Sequence, residues 1–256
     1  APYEDKILLL AEDPAQSATS FTNGLTTPGQ KLRTKNYVII QNWCDNHCSF
    51  CLTIFKRGPH RNRPLAEIID EIKEIEKEGW QEIVITWINL AARWSQNTRN
   101  AHESRLPKLL RAILEQTNIP RIRISSIDPQ YLTDEFFEIV KNPRFVPHFH
   151  FSIQSFSDKV LKLMNRGYLS DKLDEVLTKI RNLDRPDRDQ ISIWADIICG
   201  FPGETEEDFQ ETLKLTEYAR FDMIYMWIYS NRPGTFADRK YPDEIPYKVK
   251  HQRRSH

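Results

Sequence analysis

Apolar positions along the chain keep switching between two periods. Short β-branched runs alternate with longer stretches in which apolar residues recur every three or four positions. Asn36-Tyr37-Val38-Ile39-Ile40-Gln41 reads as a buried strand. Pro64 opens a helix whose Leu65, Ile68, Ile69, Ile72 and Ile75 share one face. The pattern then predicts a strand over 82–86, a helix over 106–115 and a strand over 121–125. Thr133 caps a helix that runs to Val140. A strand over 149–153, helices near 157–164 and 171–183, and a strand over 191–198 follow. A helix over 204–218 carries acidic residues in its first turn, where they suit the helix dipole, and a sixth strand spans 223–229. This rhythm predicts a parallel α/β architecture. Periodicity alone accommodates either an open doubly wound sheet or a partial barrel.

The two ends read differently. The first 35 residues show little periodicity and include Thr26-Thr27-Pro28-Gly29, a turn cluster typical of linkers. They are expected to be a linker or the remnant of a preceding domain, with the core over 36–235 and a C-terminal extension over 236–256. The absent initiator Met suggests a fragment or a processed chain. No signal-peptide pattern and no run of eighteen apolar residues is present, so no membrane partner and a cytoplasmic setting are expected. Lys and Arg together number 36, as do Asp and Glu, which argues against strong nonspecific nucleic-acid binding by this chain alone. The run from Lys248 to Arg254 is a candidate local basic patch, or a solvated tail.

Four cysteines change the picture, because three of them fall within eight residues. A disulfide framework would need a small, Cys-dense secreted chain. Cys44, Cys48 and Cys51 instead form C-x3-C-x2-C just past the first predicted strand, and ligands of parallel α/β folds gather at that end. A short loop can wrap three thiolates around one face of an iron–sulfur cube, leaving one iron open to a substrate or cofactor. Zinc is the rival metal, with His47 or His60 as a fourth ligand. Cys199, alone in a predicted strand, reads as a packed core residue.

C-x3-C-x2-C after a first strand resembles the radical S-adenosylmethionine (SAM) superfamily, and Phe50 matches the aromatic that members place near the adenine. Further segments are similar to its methylthiotransferases: Arg57-Gly58, Arg63-Pro64, Arg123 to Pro129, Gln154-Ser155, Leu161 to Arg166, Gly200 to Phe209, Tyr229-Ser230 and Arg232 to Thr235. Matches extend from about Tyr37 to Lys250. Ser125 to Pro129 and the stretch that follows look most like enzymes acting on N6-threonylcarbamoyladenosine at tRNA position 37. The isopentenyladenosine tRNA branch and the ribosomal-protein branch are less similar.

The resemblance implies a partial (β/α)6 TIM-like barrel. It implies a [4Fe-4S] cluster on Cys44, Cys48 and Cys51, and reductive cleavage of SAM bound to the open iron. Gly200, Phe201, Gly203 and Glu204 look like the strand-end turn beside the adenine, and Phe50 its aromatic neighbour. Gln154, Ser155, Arg166 and Asp196 are candidates for the cofactor's ribose, amino and carboxylate groups. Arg166 reads equally as a surface residue, Asp196 as a satisfied core carboxylate, and His148 and His150 as core or supporting residues. The implied partners are tRNA, engaged by a full-length enzyme, and an electron donor such as flavodoxin or ferredoxin; a monomer is expected.

Two departures stand out. The family carries an N-terminal domain with a second [4Fe-4S] cluster and a C-terminal tRNA-binding barrel. This sequence has no cysteine before Cys44 and ends at His256, so it is expected to be an excised catalytic core. Trp43, Trp87, Trp94, Trp194 and Trp227 also stand where the resemblance leads one to expect glycine. Five overpacked sites at about 1–3 kcal/mol each would rival a typical total stability. UGA codons read as glycine by the source and translated here as tryptophan would account for all five.

Overall fold

The computed structural model describes residues 35–42, 44, 46–56, 63–88, 106–187 and 190–255. The strands are β1 (Asn36–Ile39), β2 (Glu82–Thr86), β3 (Arg121–Ile124), β4 (His148–Gln154), β5 (Ser192–Cys199) and β6 (Met223–Ile228). Between and after them lie α1 (Thr53–Lys56), α2 (Leu65–Lys77), α3 (Leu106–Gln116), α4 (Asp134–Val140), α5 (Asp158–Leu163), α6 (Ser170–Arg181), α7 (Glu206–Ala219), α8 (Phe236–Lys240) and α9 (Tyr247–Arg254). A 3₁₀ turn covers Pro129–Tyr131.

All strand pairings are parallel, in two sheets ordered β1-β2-β3 and β4-β5-β6. Single bridges join the sheets: Ile127 N–H donates to His150 O at 2.8 Å, and Ser152 N–H to Ile127 O at 3.1 Å. Ile122 bridges Phe145 in the same way. The six strands thus run continuously in chain order, which is the expected partial (β/α)6 barrel rather than a doubly wound sheet. A doubly wound sheet would need a strand order that reverses about its first strand.

The helices cover the outer face because each presents an apolar stripe. Ile68, Ile69, Ile72 and Ile75 of α2 are buried, as are Leu106, Leu109, Leu110 and Ile113 of α3. They pack on Val38, Ile83, Ile85, Ile122 and Ile124, and the same core continues into Phe149, Phe151, Ile153, Ile193 and Ala195. β4 and β5 alternate half-buried and buried along their whole length. Their other face carries His148, His150, Ser152 and Gln154 beside Trp194, Asp196 and Ile198. That polar concave face is what the fold offers to a ligand.

Boundaries differ from the predicted ones by a residue or two, as frayed ends do. Pro64 proves to be the N-cap of α2, and the Thr133 hydroxyl accepts from Phe136 N–H at the start of α4. The 3₁₀ turn, α1, α8 and α9 were not legible in the periodicity; three of them are shorter than two helical turns. The basic run from Lys248 to Arg254 is split by α9: Lys250 and Arg253 turn inward to 4% and 6% exposure, while Lys248, His251 and Arg254 stay exposed. Cys199 is buried as expected, its thiol donating to Lys250 O at 3.6 Å. No helix among the described residues is long and apolar enough to cross a membrane.

Candidate active site

The cysteine loop leaves the C-terminal end of β1 and is fastened by backbone hydrogen bonds to two distant segments. Ser49 N–H donates to Met164 O at 2.9 Å, the Ser49 hydroxyl to Leu163 O at 2.7 Å, and Ala237 N–H to Ser49 O at 2.7 Å. Asn165, in left-handed conformation just past α5, donates its side-chain amide to His47 O at 2.7 Å. The loop conformation is therefore set by residues more than a hundred positions away.

The thiols of Cys44, Cys48 and Cys51 lie at intermediate depth. At the start of α1 the Cys51 thiol donates to the Thr53 hydroxyl at 3.2 Å, and Thr53 N–H donates to Cys51 Sγ at 3.5 Å. Arg166 Nη1 donates to Cys48 Sγ at 3.3 Å. Burial pushes the Cys48 thiol up, while the Arg166 guanidinium pulls the other way. Hydrogen bonds from N–H donors suit thiolates that carry the charge of a cluster. Among the described residues no three His, Cys, Asp or Glu side chains could hold a single metal ion, whereas a four-iron cube takes its ligands at separate corners. Three cysteine thiols on one loop are the donor chemistry that an iron–sulfur cluster takes.

Arg166 is the centre of a buried network. Its Nη2 lies 2.8 Å from Asp128 Oδ2 and donates to Ser152 O at 2.7 Å and to the Tyr168 hydroxyl at 2.9 Å. The Asp128 carboxylate also accepts from the Asn46 amide at 3.1 Å and from Gln130 N–H at 3.2 Å. Tyr131 donates its hydroxyl to Asn46 Oδ1 at 2.7 Å. Burial works against the Arg166 charge, but Tyr168, Asp128 and Cys48 outweigh it and raise its pKa. Arg166 is thus not a surface residue: it joins the cysteine loop to β4 and to the segment after β3.

The second wall is the turn after β5. Gly200 and Gly203 both have positive φ, 73° and 85°, which lets the chain reverse tightly. Glu204 is buried, and its Oε1 accepts from Gly200 N–H at 3.0 Å. Phe201 is fully buried and meets Phe50 edge to face, ring centroids 6.2 Å apart. That contact seats the turn against Phe50 of the cysteine motif.

The remaining expected site residues are spread over the concave face or beneath it. Gln154 ends β4 with φ 76°, next to an irregularity in the pairing with β5. Ser155 is buried, its hydroxyl 3.3 Å from the Thr212 hydroxyl and accepting from Ser157 N–H at 3.1 Å, so it fastens β4 to α7. Asp196 lies on the concave face with Oδ2 3.0 Å from His150 Nε2 and Oδ1 accepting from Trp227 Nε1 at 3.2 Å. His148 stacks edge-on against Trp194 at 4.6 Å, and burial depresses its pKa to about 4. Asp128, Tyr168 and Asn46 escaped sequence reasoning as site residues. Asp128 does sit in the Ser125–Pro129 motif, the one signal that marked it.

Trp43, Trp94, Arg57-Gly58 and His60 lie outside the described residues. Trp87, Trp194 and Trp227 are not among the residues with positive φ, so the backbone at those positions makes no demand for glycine. Trp227 is 57% exposed.

Residues 38–216 match the model of the radical SAM superfamily. The chain belongs to that superfamily. Its curated relatives include tRNA methylthiotransferases. One is tRNA-2-methylthio-N(6)-dimethylallyladenosine synthase from Thermotoga petrophila, 37% identical over 85% of this chain and 48% of the relative. Another is threonylcarbamoyladenosine tRNA methylthiotransferase MtaB from Thermotoga maritima, 41% identical over 81% of this chain and 46% of the relative. The chain thus spans about half the length of these relatives. Among solved structures, the radical SAM methyltransferase TsrM from Kitasatospora setae superposes with a TM-score of 0.64 at 16% identity, over 79% of this chain and 38% of that one. Coproporphyrinogen III oxidase HemN from Escherichia coli does so with a TM-score of 0.54 at 21% identity, over 86% of this chain and 50% of that one. At such identities the likeness speaks for the fold.

Proposed function

We propose that this chain is the catalytic core of a tRNA methylthiotransferase that modifies C2 of N6-threonylcarbamoyladenosine at position 37. The observation that carries the proposal is the cysteine loop at the end of β1, with Arg166 on Cys48 and Phe50 against the turn after β5. Cys44, Cys48 and Cys51 would hold the [4Fe-4S] cluster. A cluster with SAM on its open iron supplies reductive cleavage of the cofactor's carbon–sulfur bond. The protein's own contribution is placement. Arg166 neutralises part of the thiolate charge and keeps the loop seated, and Thr53 hydrogen-bonds Cys51. The backbone of Gly200 to Glu204 and the Phe50 ring line the place for the adenine. Gln154 and Asp196, on the concave face, are positioned for the ribose and amino groups.

The threonylcarbamoyladenosine reading draws on the Ser125–Pro129 motif and the stretch that follows it. A second cluster and the tRNA-binding surface belong to segments of a full-length enzyme, and a flavodoxin- or ferredoxin-like protein would be the electron donor. The test is anaerobic reconstitution of the chain with iron and sulfide, addition of dithionite and SAM, and measurement of 5′-deoxyadenosine. Product is expected from the wild type and not from Cys48→Ala. A reconstituted cluster that yields none, or a chain that binds only zinc, would overturn the reading.

A further inference from the structure

The last helix reaches back onto the turn that lines the proposed cofactor site. Arg253 of α9 places Nη1 2.6 Å from Glu204 Oε1, and both side chains are almost fully buried, at 7% and 4% exposure. The same carboxylate oxygen accepts from Gly200 N–H at 3.0 Å. One oxygen therefore links the α9 guanidinium to the first residue of the turn. Arg253 is held from its other side: Nη2 lies 3.2 Å from Glu206 Oε2, and the guanidinium sits over the Phe209 ring at 5.3 Å.

One helical turn earlier, Lys250 packs its stem where a Gly200 side chain would project. A Cβ on Gly200 would come within 2.5 Å of Lys250 Cγ. The Lys250 ammonium lies 5.1 Å from the centre of the Tyr229 ring and 2.7 Å from Asp243 Oδ2. Tyr229 in turn stands edge-on to Phe201 at 5.0 Å, and Phe201 meets Phe50. A continuous run of packed groups leads from α9 through the turn to the cysteine loop.

We propose that Arg253 is a positioning residue for SAM binding: through Glu204 it fixes the backbone of the Gly200–Glu204 turn in the shape that receives the cofactor. The inference rests on the reading of that turn as part of the SAM site. Without the guanidinium, the buried Glu204 carboxylate loses its countercharge, and it must take up a proton or swing towards water. Either change releases the Gly200 N–H. Residues that orient the ligands of metal sites in this way are typically worth about ten- to a hundredfold in metal affinity or activity.

The test uses the cluster-loaded chain and measures SAM affinity by equilibrium dialysis, with iron content and melting temperature followed in parallel. Arg253→Gln is expected to weaken SAM about tenfold or more with iron content unchanged. Arg253→Lys, which keeps the charge but not the planar fork, is expected to fall between it and the wild type. The Arg253→Gln/Glu204→Gln double variant is expected to bind no more weakly than Glu204→Gln, since both changes break one link. Arg253→Gln binding within twofold of the wild type would overturn the inference. So would a loss of affinity that only follows loss of cluster or of folded protein; should Arg253→Gln not fold, Arg253→Lys decides on the same criteria. A wild type that holds its cluster and fails to bind SAM would strike the proposed function itself, and the inference with it.

Discussion

At the scale of single residues, the site is organised by one buried arginine. Arg166 spends its guanidinium on Asp128, Ser152, Tyr168 and Cys48, and both it and Asp128 are buried. Arg166→Gln strands the Asp128 carboxylate, which should destabilise the fold by about 3–5 kcal/mol in chemical denaturation. Arg166→Gln combined with Asp128→Asn should recover part of that loss, because the second change removes the stranded charge. Unchanged stability in the single variant would mean that the network contributes little. The tryptophans are also a residue-scale matter. Trp227 is mostly exposed and Trp194 lies on the concave face, so neither overpacks the core. Trp227→Gly should change stability by about 1 kcal/mol or less, the ordinary cost of glycine in a strand. The codons at the five positions are expected to be UGA, and UGG at all of them would refute the recoding.

At the scale of elements, helix caps fix how the outer layer meets the strands. α7 begins with a capping box in which Thr205 Oγ1 accepts from Asp208 N–H at 3.3 Å and Asp208 Oδ2 accepts from Thr205 N–H at 2.8 Å. Asp208 also accepts from the hydroxyl of Ser157, the N-cap of α5, and from Lys159, both at 2.7 Å. One carboxylate thereby pins the starts of two helices. Burial alone would raise its pKa, but hydrogen bonds from Lys159, Thr205 and Ser157 bring it down to about 2. A carboxyl depressed on folding stabilises above its unfolded pKa of about 3.9 and loses that contribution as pH falls towards 2. The contribution at neutral pH is of order 2 kcal/mol. Asp208→Asn should therefore be less stable than wild type at pH 7, and the gap should narrow between pH 4 and pH 2. A gap independent of pH would show that the effect is packing rather than charge. Thr205→Ala should lower stability by about 1 kcal/mol through loss of the same cap.

At the scale of the whole molecule, the parallel strand order puts the cysteine loop, the Ser125–Pro129 segment and the Gly200–Glu204 turn at one end of the strands. That end is where a barrel of this kind places its chemistry. The chain spans about half of its curated relatives, so the proposed division of labour can be tested directly. The chain as it stands should cleave SAM and release 5′-deoxyadenosine without delivering a methylthio group to threonylcarbamoyladenosine-containing tRNA. Mass spectrometry of the nucleosides would check this, and methylthiolated product from the chain alone would refute it.

By itself the sequence determined the alternation of strands and helices, because the core of this fold is built from local periodicity. The isoleucines of α2 and the alternation along β4 and β5 are legible one element at a time. It also marked the cysteine loop, since three closely spaced thiols after a strand have few other uses. Only the tertiary structure decided that the six strands continue as one barrel, because that rests on the bridges of Ile127 and Ile122 to β4 and its approach. It alone decided that Arg166 reaches Cys48 and Asp128, and that Arg253 reaches Glu204. These side chains meet across 118, 38 and 49 positions of chain, and no periodic pattern records a contact between residues so far apart. An arginine in a basic run looks solvent-bound until the fold supplies a buried carboxylate to receive it.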